Sequence, residues 1–355
     1  MTAPSLQHFE VFLGRLRAEL EPAIARWLEA RAVPVADPSL GHIRSEVINL
    51  VTRGGKRLRP ALVALAYWGI AGGTIEDALA RTLGAQISME LLQAYLLIHD
   101  DWMDQDDVRR GASTAHVALG RAFGGKRFGD SAAIVAGDYA SALSQRALLE
   151  SDVAPDRLVA AARVFADMHE QVVLGQGMDL VAVLRSSLED EAEFVDKIHE
   201  YKTASYTVSG PLAIGATLAG ASSELLAQVT AFGRSAGIAF QYRDDLLGTF
   251  GDPTVTGKEA LTDLRQGKRT ILTAELPSTG VSRDVYERVL LARASDEDLA
   301  TVRAALEASG AKERVEARIR VLVEEAWNIA RTLPFNPETR DLLCGALSSL
   351  TERAR

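Results

Sequence analysis

The chain has 355 residues, 47% of them hydrophobic and 25% charged, with a formal net charge of -9. That composition supplies a sizeable core and excludes gross disorder, while the acidic balance argues against non-specific nucleic-acid binding, which needs a basic face. A single cysteine, Cys344, excludes an internal disulfide framework and a multi-cysteine zinc site, and the six histidines lack paired zinc spacing. No basic-then-apolar leader pattern opens the chain, and its apolar runs are too short to span a bilayer, so the expected setting is the cytoplasm with no transmembrane segment.

In chain order, a first amphipathic helix is predicted over residues 7–31, stopping before Pro34. A second precedes Gly54-Gly55, and Pro60 suits the first turn of a third. Thr74 and Asp77 resemble a capping pair that opens one long segment to Asp104. Helices follow over residues 130–150, 155–184 and 189–218, the last with a kink expected at Pro211, and then over 223–247. After a loop at 248–257 the chain returns to helix. Ser295 and Asp298 form a second capping pattern, Gly310 a stop, and Pro334 and Pro337 separate the last two helices. No linker or repeat divides the chain, so the expectation is all-α: one large helix bundle over residues 1–355, with function in a central cavity.

Two acidic clusters carry the chemistry. Asp100-Asp101-Trp102-Met103-Asp104 ends an almost wholly apolar stretch. Residues four apart on a helix lie about 40° apart and about 6 Å along the axis, so Asp100 and Asp104 face one way. Carboxylates so placed repel unless a cation lies between them, and magnesium, hard and oxygen-seeking, fits. A solvated acidic helix end is the bland alternative, but it is the wrong charge for a helix C-terminus. Asp244-Asp245-Leu246-Leu247-Gly248, after Gln241, repeats the arrangement.

Basic residues answer the acidic ones. Gly54-Gly55-Lys56-Arg57-Leu58-Arg59-Pro60 puts cations on a glycine-led turn entering a helix, a setting suited to phosphate. Arg109 and Arg110 follow the first cluster, and Lys202-Thr203, Lys258 and Lys268 add further cations. Surface charge is the alternative for each taken singly. The stretch from Gly251 to Lys258 is no phosphate-binding P-loop, because Glu259 stands where Ser or Thr would bind magnesium. No Ser-His-Asp triad or dinucleotide glycine fingerprint is present.

These motifs, in this order, resemble the trans-isoprenyl diphosphate synthases, and Leu91-Leu92-Gln93-Ala94-Tyr95 with Asp244-Asp245-Leu246-Leu247-Gly248 resembles actinobacterial-type geranylgeranyl diphosphate synthases in particular. The resemblance implies the type I isoprenoid synthase fold around a deep cavity, a homodimer, and a cluster of roughly three magnesium ions held by Asp100, Asp104 and Asp244. It further implies that Asp101, Asp245 and Lys202 serve catalysis. Lys56, Arg59, Arg110 and Gln93 would bind isopentenyl diphosphate; Arg109, Lys202, Thr203, Gln241, Lys258 and Lys268 would surround the allylic diphosphate. Gln93 stands where many relatives carry histidine, Ser113 replaces a common proline, and Gly248 replaces the third aspartate of the second cluster.

The implied chemistry is ionisation of the allylic diphosphate, attack by the isopentenyl double bond and loss of a proton, with no protein nucleophile and the released diphosphate as base. Leu96 shares the Asp100 face, whereas Tyr95 lies roughly 140° round the axis. Relatives set product length at both positions. The bulkier Tyr95 is the candidate floor, and the lean is toward geranylgeranyl over farnesyl diphosphate. A class I terpene cyclase and a non-catalytic synthase subunit are the rivals. The first lacks need of Lys56 and Arg59; the second typically loses the aspartates retained here.

Overall fold

The computed structural model describes residues 3–31, 37, 39–184, 191–251 and 260–352. Among them helix dominates, as the pattern predicts, and the one ladder pairs Val108–Arg109 with Ala112–Ser113. The chain forms two compact units: Glu10–Ala162 with Ile214–Gly220, and Met1–Phe9 with Arg163–Ala213 and Ala221–Arg355. No single described helix is long and apolar enough to cross a membrane.

In the first unit lie most of α1 (Ala3–Glu29), then α2 (Leu40–Thr52), α3 (Leu58–Ala71), α4 (Ile75–Arg81), α5 (Leu83–Met103), α6 (Ala115–Phe123) and α7 (Lys126–Leu148). The predicted stop at Pro34 lies outside the described residues. Helix α5 packs along α7 and α3. Its Met89, Leu91, Leu92 and Ile98 are fully buried, and α7 answers with Ala133, Ala136 and Ala140, small enough for the axes to approach closely. The single segment predicted from Thr74 to Asp104 is two helices. Thr74 caps α4 by accepting from Asp77 N–H at 3.2 Å. The Thr82 hydroxyl then donates to Ala78 O (2.6 Å) and accepts from Gln86 Nε2 (2.9 Å), offering the backbone a break before α5 restarts.

The second unit takes most of α8 (Pro155–Ala182), then α9 (Glu191–Ile198), a π-helical segment His199–Ser209, the start of α10 (Gly210–Ala219), α11 (Ser223–Phe250), and shorter helices leading to Ala311–Thr332 and Pro337–Thr351. The expected kink at Pro211 is replaced by the π winding upstream of it. Proline lacks an N–H and its ring crowds the carbonyl four residues back, and a wider turn relieves both. Ser209 Oγ donates to Ala204 O at 2.9 Å, following the five-residue period. The capping box at Ser295 and Asp298 forms as predicted, and Gly310 takes a positive φ of 73° before the next helix. Helix α11 outruns its predicted end: it continues through Gly248 to Phe250. Arg243 anchors one face, with a bidentate pair to Glu316 (2.7 and 2.9 Å) and Nε donating to Thr351 O.

Candidate active site

In the first unit, Gln93, Leu96, Leu97, Asp100, Met103 and Asp104 form a half-exposed stripe along α5, while Leu91, Leu92, Ala94 and Ile98 are buried. Asp100 and Asp104 therefore share a partly open face with Leu96 and Gln93, as the spacing predicts. Tyr95 points elsewhere, its ring edge-on to His99 at 4.9 Å. His99 Nε2 lies 3.1 Å from Ile134 O on α7, so that histidine is structural.

Asp101 turns inward, only 2% exposed, and accepts from Arg109 Nε at 2.5 Å. Burial pushes its pKa up to about 6 even though Arg109 pulls the other way. Its contribution is to aim Arg109, which also lies 3.8 Å from Asp100. The sequence reading found no strand here. The chain after Asp104 makes a two-residue hairpin whose tip, Arg110 (φ 50°) and Gly111 (φ 73°), has the left-handed backbone of a type I′ turn. That turn puts Arg109 back on the aspartates and sends Arg110 to the basic loop, where it donates to Gly54 O at 2.6 Å.

Of the three cations in that loop, Arg57 is not available to a ligand. It is 1% exposed in its side chain, pairs with the buried Glu90, and donates to Val51 O at 2.8 Å. Lys56 is exposed and Arg59 half-exposed. Desolvation lowers the pKa of Arg110, and the charges of Arg57, Arg109 and Arg59 lower it further against the opposing pull of Glu90. Guanidinium groups crowded in this way call for an anion.

The second unit repeats the division of labour. Asp244 is half-exposed, whereas Asp245 is 3% exposed. Asp245 accepts from Gln241 Nε2 (2.8 Å) and from Ile271 N–H (3.2 Å), with His199 Nε2 at 3.4 Å. Gln241 presents its NH₂ there, leaving its oxygen to accept from the Thr203 hydroxyl at 2.9 Å. Burial holds the Asp245 pKa well above the usual range, with Asp263 and Asp244 adding to the push, and burial lowers His199 to about 3. The paired aspartates do not end their helix as expected; α11 has more than a turn still to run.

Lys202 pairs with Asp179 at 2.5 Å. Helix α8 comes so close that a Cβ on Gly175 would sit 2.3 Å from Lys202 N. Sequence reasoning missed Asp179 and His199. The available signal was Gln176 and Asp179, polar residues three apart in one helix, and a histidine three before Lys202. Lys268 is half-exposed, its N–H donating to Asp263 O at 2.9 Å. Lys258 lies outside the described residues.

Residues 42–308 match the polyprenyl synthetase family model. The chain is 34% identical over 312 residues to a geranylfarnesyl diphosphate synthase of Aeropyrum pernix, covering 87% of this chain and 93% of that one. It is 33% identical over 299 residues to a (2E,6E)-farnesyl diphosphate synthase of Mycobacterium tuberculosis, covering 81% and 78%. The crystal structure of a Corynebacterium glutamicum geranylgeranyl pyrophosphate synthase, complexed with isoprenyl diphosphate and magnesium, superposes with a TM-score of 0.83 at 34% identity over 96% of this chain and 99% of that one. The chain belongs to the polyprenyl synthetase family, as a trans-prenyltransferase that makes a short-chain prenyl diphosphate.

Proposed function

We propose that the chain condenses isopentenyl diphosphate with an allylic diphosphate in a magnesium-dependent reaction and releases geranylgeranyl diphosphate. The observation that carries this reading is the repeated pairing at both clusters. One aspartate faces the open side, and its neighbour is buried to aim a substrate-directed side chain: Asp101 holds Arg109, and Asp245 holds Gln241 and through it Thr203. Oxygen-only donors suit magnesium. Magnesium takes its remaining ligands from water and substrate phosphate.

Asp100 and Asp104 in the first unit, and Asp244 in the second, would each hold magnesium, which when bound neutralises charge on a departing diphosphate. Lys56, Arg59, Arg110 and Gln93 bind and orient isopentenyl diphosphate. Arg109, Lys202, Lys258 and Lys268 take up the allylic diphosphate, Lys202 leaving Asp179 to do so. The oxygens of Thr203 and Gln241 face the developing allylic cation. The released diphosphate accepts the proton, since the buried carboxylates are already committed. Incubating purified protein and labelled isopentenyl diphosphate with each allylic primer, with and without magnesium, tests the reading. Product formation that survives chelation of all divalent cations would refute it.

Product length is assigned to Tyr95 and Leu96. Tyr95 lies off the Asp100 stripe and is braced by His99, and Leu96 lies on the stripe. Tyr95→Ala should lengthen the products, read by chromatography of the dephosphorylated alcohols; an unchanged profile removes Tyr95 from the role. The homodimer implied by the resemblance is supported by Phe128 and Val135, seven apart on α7 and 63% and 52% exposed. Phe128→Glu with Val135→Glu should halve the mass seen by light scattering. A wild-type mass that is already monomeric would sink the assembly.

A further inference from the structure

His99 follows Tyr95 by four residues on α5, so the two rings share a face, and they meet edge-on with centroids 4.9 Å apart. The far side of the histidine ring reaches α7. Its Nε2 lies 3.1 Å from Ile134 O; a carbonyl only accepts, so that nitrogen carries the proton. Ile134 and Gly137 are three apart on α7 and share a face, and the missing Cβ of Gly137 is what admits the ring. A methyl at 137 would lie 2.2 Å from Nε2, 2.4 Å from Cδ2 and 3.0 Å from Cε1, so the ring could not stay. Elsewhere on this helix alanine suffices, at Ala133, Ala136 and Ala140, all fully buried. Burial raises the Tyr95 pKa, and the charge of Asp138, the residue after Gly137, raises it further, which puts the tyrosine beside the same turn of α7.

We propose that Gly137 is a specificity-determining position: by admitting His99 to the α7 backbone it fixes the direction of the Tyr95 ring, and so the length at which the product stops growing. This rests on the assignment of product length to Tyr95 given above. A half-exposed aromatic side chain has more than one staggered well open to it, and an edge contact with a fixed neighbour selects one. His99 can make that selection only while its own ring is held, which the Ile134 carbonyl and the notch at Gly137 do together. Gly137 and His99 are thus positioning residues that act through Tyr95.

The test is the product distribution of the whole chain, given isopentenyl diphosphate, dimethylallyl diphosphate and magnesium, with the products dephosphorylated and separated by chromatography. Gly137→Ala and His99→Ala should each raise the ratio of longer to wild-type-length product about two- to tenfold, the range that one aromatic edge contact supports. His99→Ala adds no bulk to the core and decides the matter even if Gly137→Ala does not fold. Combining the two should give the profile of His99→Ala alone, because the methyl at 137 then has no ring to displace. An effect of Gly137→Ala that persists in full on top of His99→Ala means the glycine acts by another route, and overturns the proposal. Wild-type profiles in both single variants, with longer products from Tyr95→Ala, overturn it too while leaving Tyr95 in its role. A wild-type profile from Tyr95→Ala overturns the assignment beneath it.

Discussion

Asparagine at position 100 or at position 244 lowers kcat by at least about a hundredfold, the scale of losing one group that stabilises transition-state charge. Both side chains are half-exposed and lie on open faces of their helices, so the isosteric change leaves the fold alone: circular dichroism and Tm should match wild type. Asp101→Asn and Asp245→Asn differ in kind, because those carboxylates are buried and aim Arg109 and Gln241. For them the loss should fall on KM for the allylic substrate as well as on kcat. Steady-state kinetics on the four variants separates the two classes. Near-normal turnover in Asp100→Asn or Asp244→Asn removes the metal assignment.

The largest effect on stability is expected at Glu90. Its side chain is 6% exposed and faces Arg57 at 1%, so Glu90→Ala leaves a buried guanidinium to the exposed Glu21, 3.6 Å from its Nε. Breaking a buried pair from one side costs about 3–5 kcal/mol. Arg57 also holds the backbone of the basic loop through Val51 O, so KM for isopentenyl diphosphate should rise with the loss. Replacing both partners by methionine should restore much of the stability, as apolar substitution of a buried pair often does, but not the affinity. Urea unfolding and kinetics together decide. An unfolding midpoint for Glu90→Ala equal to wild type would show that Arg57 does not depend on it.

Helices and caps were legible because their signals are local: the Thr74 and Ser295 caps are written within four residues, and the α5 stripe in a simple period. The aspartate clusters were legible for the same reason. Other features depend on distant partners. Nothing near Arg57 marks it as turned inward; Glu90 decides that. The hairpin after Asp104 needs Arg110 in a left-handed conformation that sequence disfavours. Asp179 and Gly137 matter through residues that meet them only once the chain is folded, Lys202 in one case and His99 in the other.

The π winding between His199 and Ser209 amounts to one extra residue lodged in a helix. Excising a single residue between Thr203 and Gly210 would let ordinary α winding resume, and everything upstream would swing by about 100° relative to Pro211. Thr203 would turn away from Gln241, which follows the excised stretch, whereas Lys202 and Asp179 both precede it and would move together. Length in this stretch is thus as constrained as side-chain identity, and a natural relative one residue shorter here would have to present its lysine and threonine from a different turn.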